Sequence, residues 1–126
     1  MASTLDTLGE SQYVLVTTYR KDGRTVPTPV WVVRDGEALA IWTPTEAGKV
    51  KRIRRRPVVL VGPCDFRGNL SGDQIPGIAT VLDGVSTDRV RGLLKKKYGV
   101  MGRLTVVGSL MRRGRTGTVA IRIALT

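Results

Sequence analysis

The chain has 126 residues, 41% hydrophobic and 25% charged, with a formal net charge of +11. That length suits one domain, residues 1–126, around a single core, and the composition is globular rather than disordered. Histidine is absent and cysteine occurs once, at Cys64, which excludes a Ser-His-Asp triad, most zinc and haem sites, an internal disulfide and a thiolate metal cluster. No metal site is therefore expected. Chemistry must come from a bound cofactor or from unusual groups, and the charge favours an anionic partner: nucleic acid, an acidic membrane surface or a phosphorylated small molecule. The opening "MASTLDTLGESQ" lacks the basic start and apolar stretch of a signal peptide. No apolar run approaches the ~20 residues of a membrane span, so a cytoplasmic protein is the expectation.

In chain order, residues 4–9 read as a short amphipathic helix with Leu5 and Leu8 on one side and Gly9 at its end. "QYVLVTTYR" (12–20) is a predicted strand, rich in β-branched residues. "KDG" (21–23) is a hairpin turn, since Asp-Gly takes positive φ readily. "TVPTPVWVVR" (25–34) is the return strand. Pro27 and Pro29 cannot donate ladder hydrogen bonds, so this strand should run at an edge or open beside a ligand. A second turn at Asp35-Gly36 leads into "EALAIWT" (37–43). A basic helix follows, with Thr45 as its expected cap, Glu46 in its first turn and Pro57 as its stop.

Strands at 58–64 and 74–83 flank the glycine-rich loop "DFRGNLSGD". "STDRVRGLLKKKYG" (86–99) reads as a helix capped by Ser86 or Thr87 and ended by Gly99, with Val90, Leu93, Leu94 and Tyr98 as its buried stripe. Residues 102–114 have the character of a further short helix, against which the β-branched pair Val106-Val107 argues. "TVAIRIAL" (118–125) is an alternating sixth strand. Six antiparallel strands interrupted by helices predict a mainly β fold, a small barrel with helices packed at its ends.

The basic helix carries six cations in the eight positions Lys49–Arg56. One reading is a solvated face, at a cost of a few tenths of a kcal/mol per like-charge pair. The other is a cradle for a polyanion. Val50 and Ile53 are its apolar anchors; Lys49, Arg52 and Arg56 share one flank, Lys51 and Arg55 the other. Free amides around Ala47, Gly48 and Lys49, the helix dipole, close backbone approach at Gly48 and the Thr43 hydroxyl together have the chemistry of a phosphate pocket.

Four blocks in order, "GRTVPTPVWVVRDGEALAIWT", "KVKRIRRRPVV", "CDFRGNLSGDQIPGIATVLD" and "KKKYG", resemble the PPOX-class deazaflavin-dependent oxidoreductases of actinobacteria. These are split β-barrel proteins related to pyridoxamine-phosphate oxidase that bind coenzyme F420. The resemblance spans about Tyr13 to Tyr98 and the closing strand. It implies a six-stranded antiparallel split barrel of the FMN-binding type and a homodimer with the cofactor between subunits. It also implies hydride transfer between reduced F420 and a small, electron-poor organic substrate. Carried onto this chain, Thr43, Gly48 and Lys49 would hold the phosphate, and Lys51, Arg52 and Arg55 the phosphate or the oligoglutamate tail. Thr28, Pro29, Val30 and Trp31 would line the ring, with Pro63 and Cys64 close to it.

Competing readings are an F420 carrier without its own substrate, FMN or another phosphorylated ligand in the same groove, and a nucleic-acid-binding domain. Against the last stands the lack of interleaved aromatics and of a helix-turn-helix pattern. Trp31 and Trp42 also fit as core or interface residues, and Lys95–Lys97 as a solvated run. Cys64 lacks a histidine to activate it. Arg67 and Gly68 sit in a loop that could reach a neighbouring subunit. Tyr13, Tyr19 and Tyr98 are the only phenolic acids.

Overall fold

The structure is a computed structural model and describes residues 3–126. Its elements are α1 (Thr4–Glu10), β1 (Tyr13–Tyr19), β2 (Thr25–Asp35), β3 (Ala38–Pro44), α2 (Gly48–Arg55), β4 (Val58–Cys64), β5 (Ile75–Val81), α3 (Gly84–Arg113), a 3-10 turn at Arg115–Gly117 and β6 (Thr118–Leu125). The strands close into an antiparallel barrel in the order β1-β2-β3-β6-β5-β4. This is the predicted six-stranded split barrel.

Alternation along the strands sorts side chains into two sets. Val14, Val16, Val32, Leu39, Ile41, Val59, Val61, Ile121 and Ile123 point inward and make the barrel core. Helices plug it: Leu8 of α1 and Val50 and Ile53 of α2 belong to the same cluster. Burying Val50 and Ile53 contributes roughly 1.5–3 kcal/mol each, which fixes α2 on the barrel despite its cations. On the outside, Val33, Ala40 and Ala120 pack under Val90, Leu94 and Val106 of α3.

The open flank expected of the proline strand is present. β2 pairs with β1 from Thr25 to Trp31, but with β3 only over Val32–Asp35, so Thr25–Trp31 have no β3 partner. Prolines are tolerated on such a flank.

Several local expectations need correction. Helix α2 has Ala47 as N-cap without a side-chain cap, and no acid in its first turn. The Thr45 hydroxyl instead donates to the Thr116 carbonyl at 2.8 Å, a tertiary contact that local spacing could not reveal. Helix α3 starts earlier than predicted, because the Asp83 carboxylate, not Ser86 or Thr87, is the cap and accepts from the Ser86 amide at 2.8 Å. Thr87 is buried and its hydroxyl accepts from the Ala120 amide. Strand β5 accordingly stops at Val81. Gly99 does end a helical arm: its φ of +59° breaks α3 into two arms, and a helix does follow it.

Arg91 ties α3 to β6. Its buried guanidinium donates to the Thr118 hydroxyl and to the carbonyls of Arg115 and Thr118, and pairs with Asp88.

Candidate cofactor-binding site

The basic helix meets the β1–β2 hairpin. Arg20, Lys21, Asp22 and Arg24 from the hairpin and Gly48, Lys51, Arg52 and Arg55 from α2 line one open cleft of about 410 Å³. The hairpin tip is closed by the Arg20 amide on the Arg24 carbonyl and by Gly23 at φ +88°. Its three cations were missed by the sequence reading, which treated the turn only as a turn. The signal was there in "RKDGR", three cations around a tight Asp-Gly. The cleft's one carboxylate, Asp22, is already engaged by Arg24 Nε at 2.7 Å.

Arg52 is the best-held cation. Its Nε donates to the Thr18 hydroxyl at 2.7 Å, and its guanidinium lies over Gly48, where a β-carbon would come within 2.7 Å of Nη1. Arg55 reaches the Tyr19 carbonyl at 3.4 Å, and the Arg56 guanidinium stacks 4.4 Å from the Tyr19 ring centre. At the start of α2 the Ala47 amide is spent on the Pro44 carbonyl. The amides of Gly48 and Lys49 have no acceptor among the described residues, so the free pair lies one residue later than expected.

The electrostatics are those of a crowded cation cluster. Burial, then the charges of Arg20 and Arg55, lowers the Arg52 pKa; burial, then Arg52, lowers that of Lys49. Lys49 is half-buried and makes no hydrogen bond or ion pair among the described residues. Like charges held together in this way bind an anion more strongly than scattered ones.

The other candidates lie elsewhere. Gly48, Lys51, Arg52 and Arg55 share the cleft, while Lys49 and the buried Thr43 do not line it. Register brings the ring candidates together around β1: Val30 and Pro63 flank Val14, Pro29 flanks Leu15, and Trp31 and Cys64 flank Tyr13. The strand splits them by face. Val30 packs against the barrel core, whereas Trp31 packs outside it. Thr28 alternates with Val30, so Thr28, Val30 and Pro63 take one face of the sheet, and Pro29, Trp31 and Cys64 the outer one.

Trp31 is itself partly committed, stacked on Tyr98 with ring centres 4.2 Å apart and planes 5° apart. Tyr98 donates to the Gln12 carbonyl at 2.7 Å, and burial raises its pKa to about 12, so its proton is held by the fold. Lys97 corrects the expectation of a solvated run: its ammonium donates to the carbonyls of Gly9, Ser11 and Val32 at 2.6–2.8 Å. Burial, then Asp65, raises the Cys64 pKa, which leaves it a poor nucleophile. The loop after Cys64 is organised by Asp65, whose carboxylate accepts from the amides of Arg67 and Asn69. This brings Gly68 (φ +89°) against Leu15 and Pro29, so the loop closes over the outer face rather than standing free.

No protein-family profile and no curated protein sequence matches the chain. Solved structures do. An F420 reductase superposes with a TM-score of 0.67 at 17% identity, covering 100% of this chain and 96% of that one. A Listeria innocua protein named for pyridoxamine 5'-phosphate oxidase gives 0.63 at 21%, covering 94% and 86%. The heme storage protein HutZ of Vibrio cholerae gives 0.70 at 12%, covering 94% and 84%. Three different ligand chemistries sit in those names, and at such identities the likeness speaks for architecture alone. The chain has the split-barrel fold of these proteins.

Proposed function

We propose that the chain is an F420-dependent oxidoreductase, transferring a hydride between reduced F420 and a small organic substrate as a homodimer. The carrying observation is the cleft between α2 and the β1–β2 hairpin. It gathers six cations around a single carboxylate that Arg24 already engages. One phosphate does not need six cations; a phosphodiester extended by several carboxylates can use them.

In this reading the free amides of Gly48 and Lys49, with the Lys49 ammonium, hold the phosphate. Lys51, Arg52 and Arg55 meet the phosphate or the tail, and the Thr43 hydroxyl approaches from the end of β3. Thr28, Pro29, Val30 and Trp31 offer the open flank of β2 to the ring, with Pro63 and Cys64 across β1. When bound, the deazaflavin supplies the hydride chemistry. The protein binds, orients and shields. With Tyr98 held by backbone carbonyls, Tyr13 and Tyr19 are the phenols left to pass a proton, beside water. A second subunit would cover the outer face where Trp31 and Pro29 lie.

FMN is the rival ligand, since the fold also carries phosphate-cofactor names. Titration with F420 and FMN side by side, followed by fluorescence quenching, decides between them. F420 should bind in the micromolar range or tighter, and FMN at least tenfold more weakly, about 1.4 kcal/mol. Equal affinities would remove the argument from cation surplus.

A further inference from the structure

The positive charge is distributed unevenly. Residues 1–88 carry eleven Lys and Arg against ten Asp and Glu, whereas residues 89–126 carry ten Lys and Arg and no acid. The second arm of α3, Val100–Arg113, lies inside that acid-free stretch. One of its sides is buried: Gly102 lies against Leu94 and Tyr98 of the first arm, and Val106 and Leu110 join the cluster outside the barrel. The other side leaves Val100, Leu104, Val107 and Met111 at 74%, 66%, 48% and 84% exposure, with Met101 beside them.

At ~100° per residue those four side chains fall within an arc of roughly 60°. Arg103 and Arg112 stand on opposite sides of the stripe, ~70° and ~110° from its centre. An exposed apolar stripe with an arginine on either flank is the pattern of a helix that lies in a headgroup layer. Fourteen residues make ~21 Å of helix. Among the described residues no helix is long and apolar enough to cross a membrane, so this arm would lie on a bilayer rather than span it.

A second copy of the chain is the other conceivable occupant. Stripe-to-stripe docking would bring Arg103 and Arg112 close to the same residues of the mate, with no Asp or Glu in residues 89–126 to neutralise them. An anionic bilayer meets both halves of the surface at once: acyl chains take the stripe, and phosphates take the arginines.

We propose that the second arm of α3 seats this protein on an anionic lipid surface through Val100, Leu104, Val107 and Met111, with Arg103 and Arg112 on the headgroup phosphates. The proposal does not depend on the cofactor, because no residue of the arm lines the basic cleft.

The test is partition of the full chain onto vesicles of phosphatidylcholine alone and of phosphatidylcholine with phosphatidylglycerol at ~3:1, by flotation at low and physiological salt. The chain should float with the mixed vesicles and not with phosphatidylcholine alone. Leu104→Ser with Met111→Ser should weaken partition more than ~10-fold, and Arg103→Gln and Arg112→Gln about fivefold for each charge removed. Arg67→Gln, which removes one charge from a loop outside the arm, should change it less than about twofold. Met111→Ser alone, at the most exposed position, serves if the double variant folds poorly; it should weaken partition severalfold. Absence of binding to the mixed vesicles overturns the proposal, as does binding indifferent to the serine substitutions or an equal loss on Arg67→Gln. A dimer in solution that Leu104→Ser dissociates also overturns it and assigns the stripe to a second copy.

Discussion

Gly48→Ala puts the proposed anion site under direct strain. The new β-carbon would sit 2.7 Å from Arg52 Nη1, closer than carbon and nitrogen approach without a bond, so the guanidinium must swing away. That movement gives up the 2.7 Å hydrogen bond from Nε to the Thr18 hydroxyl, a loss of about 1 kcal/mol. Alanine is up to ~1 kcal/mol better than glycine in a helix. The two effects nearly cancel, and the melting temperature should move by no more than ~4 °C. Ligand affinity has no such compensation. The methyl group crowds the free amides and displaces Arg52, so a charge-assisted hydrogen bond of roughly 1.5–3 kcal/mol is lost and F420 binding weakens about 10- to 150-fold. Thr18→Val releases Arg52 without filling the cradle and should cost less. Fluorescence titration paired with thermal melts reads both quantities. Unchanged affinity in Gly48→Ala would show that Arg52 covers nothing of consequence; affinity and stability collapsing together would mean that the substitution only unfolds α2.

Lys49→Ala should weaken F420 binding about 10- to 150-fold, Arg55→Ala less, and the exposed Lys96→Ala less than about twofold; titration at two salt concentrations would expose a diffuse basic surface through three equal losses that fade together. Arg91→Ala removes the buried guanidinium joining α3 to β6 and leaves its buried acceptors at Thr118 unpaired, which should cost ~1–3 kcal/mol in denaturant unfolding; a loss under ~0.5 kcal/mol would contradict its role. Tyr98 has its pKa raised to about 12 by burial, so the fold favours the neutral phenol. The stability tied to it is complete below the ordinary tyrosine value of about 10 and lost as pH rises through about 12. Tyr98→Phe should flatten that alkaline decline in urea melts, and an unchanged slope would refute the assignment.

Where information was local, the sequence could be read well. Alternating apolar residues and two Asp-Gly turns were enough to place β1, β2 and β3, and the prolines foretold the unpaired flank of β2. Val50 and Ile53 were legible as the buried side of α2 because their spacing admits no other stripe. What failed was tertiary. Thr45 resembles a cap in every local respect, but the carbonyl it finds belongs to Thr116, 71 residues away. Lys97 resembles Lys95 and Lys96, yet only Lys97 points at the carbonyls that α1 and β2 present. The ring candidates were read as one contiguous run, Thr28 to Trp31, although strand alternation sends neighbours to opposite faces. The hairpin cations became part of a site only when the barrel folded the β1–β2 turn against α2.

The net charge of +11 is therefore a poor guide to the binding site it first suggests. The first 88 residues, which contain every residue lining the cleft, are nearly neutral as a group. The local field there comes from placement: a hairpin and a helix, separate in sequence, direct their cations at one space while the acids of the same segment lie elsewhere or, like Asp22, are already engaged. The surplus resides in the last 38 residues, on a different element. At physiological salt exposed charges are screened over ~8 Å, so the two regions act as separate electrostatic features. Substitutions in the cleft should alter cofactor affinity and leave vesicle partition intact; substitutions on the second arm of α3 should do the reverse. A single diffuse basic surface would couple the two responses, and the division of charge along the chain argues against that coupling.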